Sequence, residues 1–159
     1  MPRFQTLFFI FFLFSCTPAN SYQDGRPQSL PLEALSVETA GGTYKFQVQI
    51  AQTVEQKQIG LMFRNNMPAG EGMLFTYKYP EVAGFWMRNT YISLDILFVR
   101  GDGTIANIAR NTTPLSLDMV SSNGHIIGVL EINGGLAEKL GIEPGDKILH
   151  PFFQGKEAK

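Results

Sequence analysis

One cysteine, one tryptophan and two histidines are all that this 159-residue chain holds of three residue types common at disulfides, stacking sites and catalytic or metal centres. The lone Cys16 excludes an internal disulfide. His125 and His150 are the only histidines, and no Gly-x-Ser-x-Gly elbow accompanies them, so a Ser–His–Asp hydrolase has no foundation here. No histidine pair or carboxylate cluster has ligand spacing, so no metal and no cofactor is expected. Met62, Met67, Met73, Met87 and Met119 sit in apolar contexts, where thioethers fill a core, and are read that way rather than as Cu(I) ligands. Charge of one sign is lacking too. Thirteen Lys and Arg face fourteen Asp and Glu, a net charge of -1, which offers no basic stripe to a nucleic acid. No nucleic-acid partner is expected.

Long apolar runs are absent except for Leu7–Phe14 at the N-terminus. That run falls short of the ~20 apolar residues that span a bilayer. With Arg3 before it, it matches the apolar middle of a secretory signal peptide. It ends in "LFSC", where Leu13, Ser15 and Cys16 resemble a bacterial lipobox and Phe14 is bulkier than usual there. Two outcomes stay open: acylation at Cys16, with the membrane as partner through a lipid anchor, or ordinary cleavage near "TPANS". Either predicts an exported protein, periplasmic or held in the cell envelope, and otherwise secreted.

What remains is 44% hydrophobic and long enough for one core. The expected organisation is a signal peptide and lipobox over 1–16, a flexible tether over 17–34, a β-rich domain over 35–153, and a tail over 154–159. Leu35, Val37 and Thr39 alternate before Gly41-Gly42, and Tyr44, Phe46, Val48 and Ile50 alternate after it, which predicts a hairpin closed by those glycines. Thr53 and Gln56 have capping-box spacing for a short helix towards Phe63, in which Gly60 marks either close packing or an early end. "MLFTY", residues 84–92 and "HIIGVLEIN" read as strands, "LDILFVRGDGTIANIAR" as a second hairpin, and "GGLAEKLG" as a helix stopped by Gly141. Short strands with two brief helices predict a mainly β fold: a small antiparallel barrel or sandwich.

Five stretches in this order, "GLMFR", "GMLF", "FWMRNT", "LDILFV" and "GIEPGD", resemble the prokaryotic family called domain of unknown function 192. The resemblance runs from about Leu35 to about Phe153. Lys often stands in the family at the position of Arg88, and Pro at that of Ser93. Membership implies a compact β-rich domain, often exported, with no established cofactor or catalytic residues. "GGLAEKLGIEPGDKI" is also similar to the end of a PDZ domain, but Gly145 and Asp146 there make a turn that many folds share.

The candidate site residues are the polar groups inside apolar stretches. If "FWMRNT" is extended, Trp86, Arg88 and Thr90 face opposite to Phe85, Met87 and Asn89, so both faces mix bulky and polar groups. An indole beside Arg88 and Asn89 suits a small molecule, a sugar or a peptide. Equally, Trp86 could be core and Asn89 a turn residue. Asp95 lies in the apolar strand "LDILFV" and needs a partner if buried, with Arg64 and Arg88 the arginines at hand. Glu131 in "GVLEIN" is a similar case. The leading reading is an envelope binding or accessory module, more readily than an enzyme, with a pocket of Arg64, Trp86, Arg88, Asn89 and Asp95. Asp95 and Glu131 across one cavity would instead suggest a carboxylate-based hydrolase. A purely structural envelope role is the third reading.

Overall fold

A computed structural model describes residues 25–154. Acylation at Cys16, the leader, the first part of the tether and the tail beyond Gln154 lie outside the described residues.

The chain is mainly β, as its alternation predicts. β1 (Leu32–Thr39) and β2 (Gly42–Ala51) form an antiparallel hairpin with Thr39 opposite Gly42. The two loop residues are therefore Ala40 and Gly41, one position earlier than expected. Thr39 explains the shift: its Oγ1 accepts from Gly41 N–H at 3.1 Å and donates to the Gly42 carbonyl at 3.1 Å. β1 also starts three residues before Leu35. Upstream of it, Gln28 Nε2 donates to the carbonyls of Gln56 and Gly60 at 2.8 and 2.9 Å, so this end of the expected tether is fastened to the domain.

Thr53 caps α1 (Val54–Ile59), and the reciprocal bond from Gln56 completes the capping box. Gly60 then does both things expected of it. Its φ of 49° ends the helix, and a Cβ there would stand 3.2 Å from the Phe75 ring. The remaining strands are β3 (Glu71–Glu81), β4 (Gly84–Phe85), β5 (Leu94–Val99), β6 (Ile105–Ala109), β7 (Val120–Ser121), β8 (Ile126–Asn133) and β9 (Lys147–Leu149), with α2 (Leu136–Leu140) between β8 and β9.

Seven strands make one curled sheet in the order β6-β5-β8-β3-β2-β1-β9, while β4 and β7 pair apart. One pairing departs from the antiparallel expectation: β2 and β3 are parallel, joined by a crossover through residues 52–70 that carries α1. The curl brings the sheet's two ends together. Thr104 bridges Lys147, Ile148 N–H donates to the Gly103 carbonyl at 2.8 Å, and Lys147 Nζ reaches Asp102 Oδ2 at 2.8 Å. The concave face buries Val48, Leu74, Leu97, Leu130, Ile148 and Phe153, closed by α2 and the turn at Pro151–Phe153. The other face buries Met73, Phe75, Ile96, Phe98 and Val129 against Leu61, Met67, Ala83 and Met87. Four of the five methionines singled out are buried in the described residues, but Met119 is 59% exposed.

Residues 84–92 are not a strand beyond Phe85. The chain turns at Arg88-Asn89, and Asn89 takes a left-handed φ of 55°. Its carbonyl accepts from Phe63 N–H at 2.8 Å, and Phe63 is itself left-handed at 65°. Side-chain alternation therefore does not govern "FWMRNT". Met87 and Thr90 are buried because the turn folds them inward.

Candidate functional site

The expected pocket divides into three places. Asp95 is fully buried, as a carboxylate in an apolar strand had suggested, but no arginine meets it. Asn111, Gly135 and Ala137 donate backbone N–H groups to its carboxylate at 2.7, 3.1 and 2.8 Å. Asp95 thus ties the end of β6 and the start of α2 to β5, and satisfies amides that a helix start leaves without partners. Its role belongs to the fold. Arg64 lies elsewhere: its guanidinium donates to the Gln28 carbonyl and to Gln49 Oε1, both at 2.8 Å, and so holds the N-terminal segment on β2.

Asp95 and Glu131 do not share a cavity. In the β5–β8 ladder Ile96 pairs with Glu131, and Asp95 with Ile132. Successive side chains alternate, so Asp95 shares a face with Ile132 and Glu131 shares the opposite face with Ile96. The apolar clusters agree, since Ile132 and Ile96 belong to opposite faces. The sheet separates the two carboxylates, which removes the hydrolase built on them.

Glu131 and Trp86 do come together. They line a cleft of about 640 Å3 between α1, β3, β8 and the segment at 84–90. Phe75, Tyr77 and Phe85 supply aromatic walls, with the Phe75 and Phe85 rings edge-to-face at 5.1 Å. Trp86, at the rim, is 45% exposed. Arg88 stands outside, 5.5 Å over the indole ring. Asn89 serves the turn, its amide reaching only Met62 Sδ at 3.9 Å.

Glu131 is 5% exposed, and no hydrogen bond from another described residue reaches its carboxyl. Burial pushes it up to about 8, so it holds a proton at neutral pH. Burial, with the charges of Glu81 and Glu131 adding, also pushes the Tyr77 phenol upwards. A register shift in β3 between Thr76 and Glu81 lets this strand end leave the flat ladder beside β8.

Lys57, Tyr77, Glu81 and Thr90 line the cleft and were not singled out from sequence. Lys57 and Tyr77 sit in elements correctly read as helix and strand, but nothing local marks them. Lys57 Nζ stands 4.2 Å from the Tyr77 ring centroid, a contact that exists only because α1 crosses β3. Among the described residues no group of three His, Cys, Asp or Glu could hold a metal ion, and no helix is long and apolar enough to cross a membrane.

Comparison with known proteins agrees with this architecture. A protein of unknown function from Novosphingobium aromaticivorans is 43% identical, superposes with a TM-score of 0.76, and is matched over 79% of this chain and 90% of its own. A candidate transcription regulator from Sinorhizobium meliloti is 37% identical with a TM-score of 0.74, over 77% of this chain and 95% of its own. No curated protein matches the chain. The family model described as DUF192, Uncharacterized ACR, matches residues 36–150, and the chain belongs to that family.

Proposed function

We propose that this protein is a small-ligand-binding module of the cell envelope, with its binding site in the cleft floored by Glu131 and rimmed by Trp86. One observation carries the reading. A carboxyl 95% removed from solvent lines a cleft of about 640 Å3 without a hydrogen bond from any described residue. Where such a group serves only the fold, it is paired, as Asp95 is. Polar groups left unpaired inside an apolar cleft are instead what a ligand engages. Export rests on the apolar run and "LFSC" of the N-terminal segment.

The single tryptophan makes the site directly readable. Small sugars, peptides and amines at millimolar concentration should include at least one that alters Trp86 emission and raises the melting temperature, with both effects lost in Glu131→Gln. A ligand at 100 times its dissociation constant adds about 2.7 kcal/mol to stability. If every compound that raises the melting temperature leaves Trp86 emission unchanged, the cleft is not the site.

A further inference from the structure

We propose that the cleft recognises its ligand through a cationic amino group, seated against the Glu131 carboxylate between the aromatic walls of Phe75, Tyr77, Phe85 and Trp86. This rests on the binding reading above and names the class of ligand.

Three features of the cleft converge on a cation. The first is the carboxyl itself. Glu131 is enclosed, and no donor from a described residue reaches it. An ionised carboxylate in that setting gains most from a donor that brings its own positive charge, because charge-assisted hydrogen bonds are about twice as strong as neutral ones. The second is the aromatic lining. Ring faces are negative, and a cation within about 6 Å of a ring centroid is attracted to it. The third is Lys57. Its ammonium stands 4.2 Å from the Tyr77 centroid, so the protein already places one primary amine on a wall of this cleft.

The charged and titratable groups around Glu131 fit the same account. Lys57 faces the cleft from α1, and Tyr77 and Glu81 from β3. Across the paired strands Glu131 meets only Met73 and Ile96, which are apolar. Thr90 is the polar contribution of the 84–90 segment, and Arg88 keeps to the far side of the Trp86 ring. With Glu131 ionised, two carboxylates outnumber one ammonium, and an incoming amine completes the balance.

Binding is then linked to a proton. In the unliganded protein Glu131 holds its proton at neutral pH, because burial pushes the group up to about 8. An arriving R–NH3+ favours the carboxylate, so the carboxyl proton leaves to solvent while the ammonium keeps its own. One proton is released for each ligand bound well below pH 8, and affinity rises about tenfold per pH unit from pH 6 until Glu131 is ionised, then levels.

The test uses the full chain and Trp86 emission, with n-butylammonium as probe and butan-1-ol as its neutral counterpart. The expected result is saturable binding of the amine alone, tightening about tenfold per pH unit between pH 6 and 8. Calorimetry at pH 6.5 in two buffers of different ionisation enthalpy should count about one proton released. Glu131→Gln should weaken the amine at least tenfold at pH 8.5, and Glu81→Gln, altering an exposed rim group, severalfold. Lys57→Met should tighten it by removing a competing cation. Equal binding of amine and alcohol, affinity that falls as pH rises, or loss of binding in Lys57→Met would each overturn the cation. Where any of these comes with a Trp86 response lost in Phe85→Ala, the cleft remains a binding site for another class of ligand. If neither these probes nor the sugars and peptides alter Trp86 emission, cation and binding site fall together.

Discussion

Replacing Glu131 by Gln should make the protein more stable above neutral pH, and progressively so. In the folded chain the carboxyl holds its proton up to about pH 8, against an ordinary value of 4.5. Between those values the native state binds one proton more than the unfolded state. Stability therefore falls as pH rises, by about 1.4 kcal/mol per pH unit. Relative to an untitrating side chain, the full contribution is present below pH 4.5 and is lost by passage through pH 8, about 5 kcal/mol in all. The substituted amide would keep the shape and the hydrogen-bonding capacity of the protonated acid and would not titrate. Urea unfolding of both proteins at pH 5.5, 6.5, 7.5 and 8.5 isolates the effect, since the histidines and other carboxyls are common to both. The stability difference should grow in favour of Glu131→Gln by about 3–4 kcal/mol across that range. A difference that stays flat would falsify the burial of an unpaired carboxyl, and with it the cleft's main polar feature.

Asp95→Ala should cost about 3–5 kcal/mol in denaturant melts, since three buried N–H groups lose their acceptor. Combined with Arg64→Met, its effect should add to within about 0.5 kcal/mol, because the two residues share no partner; a larger coupling would restore the arginine pairing that the geometry denies. Gly103→Ala should destabilise by at least about 2 kcal/mol, as the residue has a φ of 84° and a Cβ there would stand 2.6 Å from the Ile148 carbonyl oxygen; a melt equal to wild type would mean that the sheet's two ends are not joined there. Lys147→Met, which breaks an exposed pair at the same junction, should cost under about 1 kcal/mol and lose even that in molar salt. Mass spectrometry of the membrane fraction should find a mature chain beginning at an acylated Cys16, whereas a chain beginning at Met1 in the cytosol would end the envelope reading.

Much of the fold was legible because it is written locally. The period-two pattern of β2, the capping box of Thr53 and Gln56, and the stop at Gly141 each need only neighbouring residues. Gly145 and Asp146 likewise turn the chain as read, with Glu143 N–H donating to Asp146 Oδ2 at 2.8 Å. The parallel pairing of β2 with β3 was not legible, since the crossover of residues 52–70 looks no different from a link between antiparallel strands. "FWMRNT" misled because a left-handed Asn89 produces an inside–outside pattern that mimics a strand read from its letters. Asp95 was rightly expected to be buried and given the wrong partner. Its donors are backbone amides at 111, 135 and 137, which have no side-chain signature and converge only once the sheet is formed. Glu131 stood out as a charge inside an apolar strand, but its separation from Asp95 depends on which strands pair and in what register.

The attachment of Gln28 bears on how the domain responds to force. Its amide grips the carbonyls of Gln56 and Gly60, at the end of the short helix that walls the cleft. Its own carbonyl is held by Arg64. A pull on the N-terminal end is therefore carried into the helix and the arginine before it reaches the hairpin of β1 and β2. The binding wall sits first in the line of load and the buried sheet last. Tension short of unfolding would loosen the grip on a ligand while leaving the fold intact, so the cleft is mechanically the softest element between the tether and the core.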